Sequence, residues 1–163
     1  MPPPFIVKLV GLKLAPRIPP VIEIEINNAQ TALAVDEPRL EQIARIVLEG
    51  ENANNAQVSL AVVDDATLHA LTRRFLKHDY PTDVLSFPLE TEEGWEGEVV
   101  VSAETAVRQA EELGWASEQE LALYVIHGLL HLTGQDDVSP EAAAEMRRKE
   151  SHYLEKLGWT KPD

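Results

Sequence analysis

Three residues in the second half of the chain have the types and spacing to hold a metal ion: His127, His131 and Asp137. Residues four apart on a helix lie on one face, a turn apart, so the two imidazoles can point at a single atom. Gly134 follows, suited to a left-handed cap that ends a helix and swings the chain back. Asp137 would then bring a carboxylate to the same point. Two ligands on a helix and a third on the returning loop leave one position open for water, the layout of a catalytic zinc site. Nitrogen and carboxylate donors without sulfur suit one Zn2+ per chain, and they would also take manganese, iron or nickel.

The ordinary alternative is a pair of core histidines that have found hydrogen bonds. Five histidines scattered over 163 residues would give only about 0.1 pairs at this spacing by chance. Two buried, unpaired imidazoles would also cost about 1–3 kcal/mol each. The third ligand is more open. Asp136 is adjacent and could complete the site or orient a histidine from behind, and His152 could also reach. The spacing invites comparison with metalloproteases of pattern H-E-x-x-H-x-x-G-x-x-H, where the Glu is the general base. Gly128 stands at that place here, so a peptidase would need a base from elsewhere in the cleft.

The elements that must position these residues follow from the hydrophobic pattern. Leu121 to Leu132 reads LALYVIHGLLHL, apolar on nearly every side, as expected of a buried central helix. Ser117 with Glu120 predicts a capping box that opens it, and Ser139-Pro140 predicts a last helix reaching about Lys156. Val21–Ile26 alternates isoleucine with glutamate, a strand buried on one face. Further strands are expected at Val58–Val63, Val84–Phe87 and Glu98–Val101. The second of these lies between Pro81 and Pro88, which assigns it to a sheet edge or to the end of a strand. Other helices should run from an Asp36 cap to Gly50, from Asp64 or Asp65 to about Leu76, and over Ala103–Leu113. No long βαβ alternation is visible. The pattern therefore predicts an α+β fold, a small mixed sheet packed with helices, with a zincin-like metal-binding helix followed by a return loop.

With 163 residues, 44% apolar and 26% charged, the chain fits one domain over 21–163. Residues 1–20 hold six of the eleven prolines, and Lys8 and Lys13 interrupt their apolar run, so they read as a poorly ordered leader. The lack of cysteine excludes disulfides, thiolate ligands and cysteine nucleophiles, and suits a reducing cytoplasm. No apolar run approaches a membrane span. A net charge of −14 argues against whole-surface binding to nucleic acid. It leaves room for a local basic groove, since charges more than about 8 Å apart are largely screened at physiological salt. The densest basic patch is Arg73, Arg74, Lys77 and His78, which equally suits a solvated helix end. Arg147-Arg148-Lys149 reads as surface. Trp95, Trp115 and Trp159 sit near turns as packing residues, with Trp95 available to stack on a base.

The run HGLLHLTGQDD from His127 to Asp137 resembles H-G-x-L-H-L-x-G-x-D-H of the YbeY family, bacterial single-strand-specific endoribonucleases of ribosomal RNA maturation. Pro81–Pro88, PTDVLSFP, resembles that family's second signature, and Gly97–Ser102, GEVVVS, is similar to its G-D-I-V-I-S strand. Order and spacing agree for all three, over roughly Val21 to Leu157. The resemblance implies a cytoplasmic, metal-dependent endoribonuclease acting on the 3′ end of 16S ribosomal RNA and in ribosome biogenesis. Its partners would be single-stranded RNA and the small ribosomal subunit, not DNA and not membrane. Two departures matter. The family's third ligand is His where this chain has Asp137, a carboxylate that zinc accepts but that leaves a bound water less acidic. The family's phosphate-binding Arg is Leu76 here, so Arg73, one turn earlier, and Arg74 become the candidates for phosphate contact. No side chain stands out as general base. The missing Arg and the net charge favour a rival reading, a non-catalytic ribosome-assembly factor. Its metal would be structural, closed by a fourth protein ligand such as His152.

Overall fold

The structure, a computed structural model, describes residues 21–75, 82–89 and 94–163. The leader over 1–20, together with Leu76, Lys77, His78 and Pro81, lies outside the described residues. Four strands, β1 (Ile22–Asn28), β2 (Ala56–Val63), β3 (Val84–Leu89) and β4 (Trp95–Ser102), form one sheet of order β1-β2-β4-β3. Pairing is parallel for β1 with β2 and β2 with β4, and antiparallel for β3 with β4. Among the described residues, five helices complete the α+β fold: α1 (Glu37–Gly50), α2 (Asp65–Phe75), α3 (Ala103–Leu113), α4 (Ser117–Leu132) and α5 (Pro140–Lys156). None of the described helices is long and apolar enough to cross a membrane.

The two sheet faces divide the helices. Ile22 of β1, Val58, Leu60 and Val62 of β2, and Val99 and Val101 of β4 point to the larger core, which α1, α4 and α5 fill. The alternate residues Ala61, Val63, Leu85 and Val100 meet Leu68 and Leu71 of α2 on the opposite face. The alternation of β1 is as the sequence predicts, with Glu23 and Glu25 turned to solvent. β3 is an edge strand, and Pro88 is accommodated within it opposite Gly97 rather than ending it.

Local signals hold at most helix starts. The Asp36 carboxylate accepts from Arg39 N at 3.1 Å, and Ser139 Oγ from Ala142 N at 3.0 Å. Of the adjacent pair before α2, Asp64 is the cap, accepting from Thr67 N at 2.8 Å, a bond that holds its carboxyl below the usual range. One predicted cap is displaced. Ser117 is already helical, and Gln119 Oε1 reaches back to Ala116 N at 3.0 Å. Glu120 is buried and engaged elsewhere, accepting from Trp115 Nε1 at 2.9 Å. Pulling that carboxylate inward for the indole removes it from the capping box.

Candidate metal centre

α4 is nearly all apolar because it is surrounded: eleven of its sixteen residues are buried, including Leu121–Ile126. His127 and His131 lie on the one stripe left partly open. Their Nε2 atoms are 3.0 Å apart. The loop after α4 returns as expected, with Gly134 at φ +103° and Gln135 N donating to Leu130 O at 2.9 Å. That turn places Asp137 Oδ2 at 3.7 Å from His127 Nε2 and 3.6 Å from His131 Nε2.

The other ring nitrogens fix what the first pair can do. His131 Nδ1 lies 3.0 Å from the Gln135 carbonyl, which can only accept, so Nδ1 carries the proton. His127 Nδ1 lies 2.7 Å from Glu150 Oε2 and donates to that carboxylate. In the neutral tautomers both Nε2 atoms are then bare, and two lone pairs and a carboxylate oxygen converge with no donor among them. Such a triangle is stable only around a proton or a metal cation. Burial opposes a charge on His127, but the hydrogen bond to Glu150, then the charges of Glu150, Asp137 and Asp83, outweigh it and raise its pKa. The same field favours a bound cation. The donor separations also fit one: a tetrahedral ion with bonds of about 2.0 Å has ligand–ligand edges of about 3.3 Å.

Among the described residues, His127, His131 and Asp137 are the group whose ligand atoms could share an ion. Asp136 is turned away, its Oδ1 accepting from Val138 N at 3.2 Å. His152 is exposed on α5, its ring edge-on to Tyr153 at 5.0 Å between centroids. Glu150 was not foreseen. It sits four residues after Met146 and four before Leu154, both buried, and an acid on a helix's apolar stripe is the signal that could have found it.

β3 sets the height of α4. Ser86 Oγ donates to the Gly128 carbonyl at 2.8 Å. A Cβ at Gly128 would stand 2.4 Å from Val99 Cγ1, 3.0 Å from Val84 Cγ2 and 3.2 Å from Ser86 Oγ. The place where a metallopeptidase carries its Glu is thus filled by the sheet.

The site opens into a cleft of about 850 Å³ lined by His127, Asp137, Glu150, Asp83 and three cations, Arg108, Arg147 and Lys161. Arg73 and Arg74 are not in its lining. They stand exposed in the last turn of α2, across the sheet from α4, with the Arg74 guanidinium 5.4 Å from the Phe75 ring centre. Trp115 packs against the larger core as expected, as does Trp159 beneath Arg39, while Trp95 is 39% exposed.

Comparison with known proteins bears on the fold and the family. The family profile of endoribonuclease YbeY matches residues 25–158. An endoribonuclease YbeY of Rhodopirellula baltica is 45% identical over 136 residues, spanning 82% of this chain and 66% of that protein. Another, from Salinibacter ruber, is 37% identical over 150 residues, spanning 86% of this chain and 94% of its relative. The solution structure of TM1509 from Thermotoga maritima is similar with a TM-score of 0.57 at 27% identity, over 82% of this chain and 91% of the other.

Proposed function

This chain belongs to the endoribonuclease YbeY family, and from that premise we propose that it hydrolyses single-stranded RNA at a metal centre formed by His127, His131 and Asp137. The observation that carries the reading is the pair of bare Nε2 atoms 3.0 Å apart, each about equally far from one carboxylate oxygen of Asp137. One Zn2+ per chain suits these donors, and when bound it supplies Lewis acidity toward a phosphodiester and lowers the pKa of water. Glu150 and the Gln135 carbonyl hold the rings so that Nε2, not Nδ1, faces the ion. The substrate we assign is ribosomal RNA, at the 3′ end of 16S RNA in the small subunit, in the cytoplasm. Arg73 and Arg74 would touch the strand beyond the cleft.

A catalytic centre is favoured over a structural one by the absence of a fourth His, Asp or Glu ligand among the described residues and by the exposure of Asp137. Metal content of the purified protein and of His131→Ala, paired with cleavage of a labelled single-stranded RNA, tests the proposal. About one zinc per chain, with metal and cleavage both lost in the variant, is expected. Cleavage that persists without metal would overturn it.

A further inference from the structure

We infer that Arg108, Arg147 and Lys161 form the phosphate-binding wall of the cleft. The inference rests on the endoribonuclease reading above and assigns the residues that grip the strand.

All three cations line the cleft that contains His127 and Asp137, although they come from α3, α5 and the segment after α5. Arg108 is held in place before any ligand arrives. Its Nη1 donates to Asp65 Oδ2 at 2.6 Å and its Nη2 to Thr105 Oγ1 at 3.1 Å. Asp65 is itself fixed, accepting from Ser102 Oγ at 2.5 Å and Thr105 Oγ1 at 2.7 Å. A guanidinium has five N–H donors, so these bonds leave donors for a phosphate while the planar fork is already oriented. Less ordering entropy is then lost on binding.

The basic run on α5 divides by direction. Arg148 is paired with Glu145 and Lys149 with Glu51. Arg147, between Met146 and those two, lines the cleft, and neither it nor Lys161 forms an ion pair among the described residues. The carboxylates of the same cleft are mostly committed. Glu150 accepts from His127, Glu120 from Trp115, and Asp137 faces the two imidazoles. Against three cations stand these three acids and Asp83, with Asp65 paired to Arg108 behind the wall, so a divalent ion in the triangle would offset the acidic excess and leave Arg147 and Lys161 without a counter-charge. With an ion bound, these cations would form a local basic edge in a chain of net charge −14, at a scale where distant charges are screened. A polyanionic strand laid along it would pass the metal triangle with its phosphates on the cationic wall.

Cleavage of a labelled single-stranded RNA, measured against RNA and salt concentration, tests this on the full chain and on Arg108→Ala, Arg147→Ala and Lys161→Ala. Arg45→Ala on α1, whose partner is Glu41, is the control. Each cleft variant should raise KM by about 3- to 10-fold with kcat largely kept. Each should also flatten the logarithmic salt dependence by about 0.7, as one lost phosphate contact requires. Arg147 and Lys161 are exposed, so their variants fold and carry the test even if Arg108→Ala disturbs the Asp65 network. Wild-type KM and salt slope in both Arg147→Ala and Lys161→Ala would overturn the assignment while leaving the nuclease intact. A wild-type protein that cuts no single-stranded RNA would instead defeat the endoribonuclease reading, and this inference with it.

Discussion

On the α4 side of the sheet, two histidines set into an apolar helix have their Nδ1 atoms tied to Glu150 and to the Gln135 carbonyl, and their Nε2 atoms aimed at each other and at Asp137. On the α2 side, Glu98 is 1% exposed and neither carboxylate oxygen has a hydrogen-bond partner among the described residues. Ser59, its register neighbour on β2, also has a buried hydroxyl without one. Both regions take polar groups out of water at a cost of several kcal/mol when nothing compensates. The first answers that cost with orienting partners that leave a cluster of lone pairs demanding a cation. The second answers it by keeping a proton. Partnered burial builds a site, whereas unpartnered burial only neutralises a charge.

The largest effect should come from removing a ligand on the first side. His131→Ala opens the triangle, and cleavage should fall on the order of 10³-fold or more as bound metal disappears. A next, purely steric intervention is Gly128→Ala. The new Cβ would meet Val99 and Val84 where β4 and β3 touch α4, and it must push the helix that carries both histidines. Overpacking at such a contact should cost about 1–3 kcal/mol in a urea melt and weaken the metal as His127 moves. A variant with wild-type stability and affinity would show that the sheet does not set the position of α4.

Glu150→Gln sharpens the comparison, because it weakens the orienting partner without emptying the space. A metal-bound histidine that loses its carboxylate partner should bind metal about 10- to 100-fold more weakly, read by competition with a chelator. Little change in melting temperature should accompany it, since Glu150 is partly exposed on α5. Unchanged affinity would mean that packing alone orients the ring of His127.

The residues that were legible from sequence are those whose partners are close in the chain. His127 and His131 share a face because of helix geometry, Gly134 turns the chain because it accepts a positive φ, and Asp137 follows within the same loop. The isoleucines of β1 and the proline at position 88 likewise announced a one-sided strand and an edge. What was hidden depends on contacts across the chain. Glu150 meets His127 from 23 residues away, and Asp65 holds Arg108 from 43 residues away. No periodicity encodes those distances. The charge run on α5 shows the same limit, since the facing of Arg147, Arg148 and Lys149 depends on where Glu51 and Glu145 stand. The shifted start of α4 has a similar cause: Glu120 suits a capping box, but the indole of Trp115 claims it.

Glu98 offers the smallest and most selective test, through pH. Burial, reinforced by the charge of Glu25, pushes its pKa from 4.5 up to about 8. The folded state therefore keeps a proton that the unfolded chain releases as pH climbs from 4.5 toward 8. Where the unfolded state binds fewer protons, stability falls with rising pH, so Glu98 should weaken the fold across that window and most at its upper end. Glu98→Gln has no such proton and should be more stable than the parent by about 1–2 kcal/mol at pH 8, well under what the full shift would give. That gap should close only well below pH 4.5, where the parent's carboxyl is protonated in the unfolded chain as well as in the fold. Taking the difference between the two proteins in urea melts at each pH cancels the contribution of His127, which both share. A gap that instead widens toward acid would mean that Glu98 is ionised and paired in the fold, and the contrast between the two faces of the sheet would then disappear.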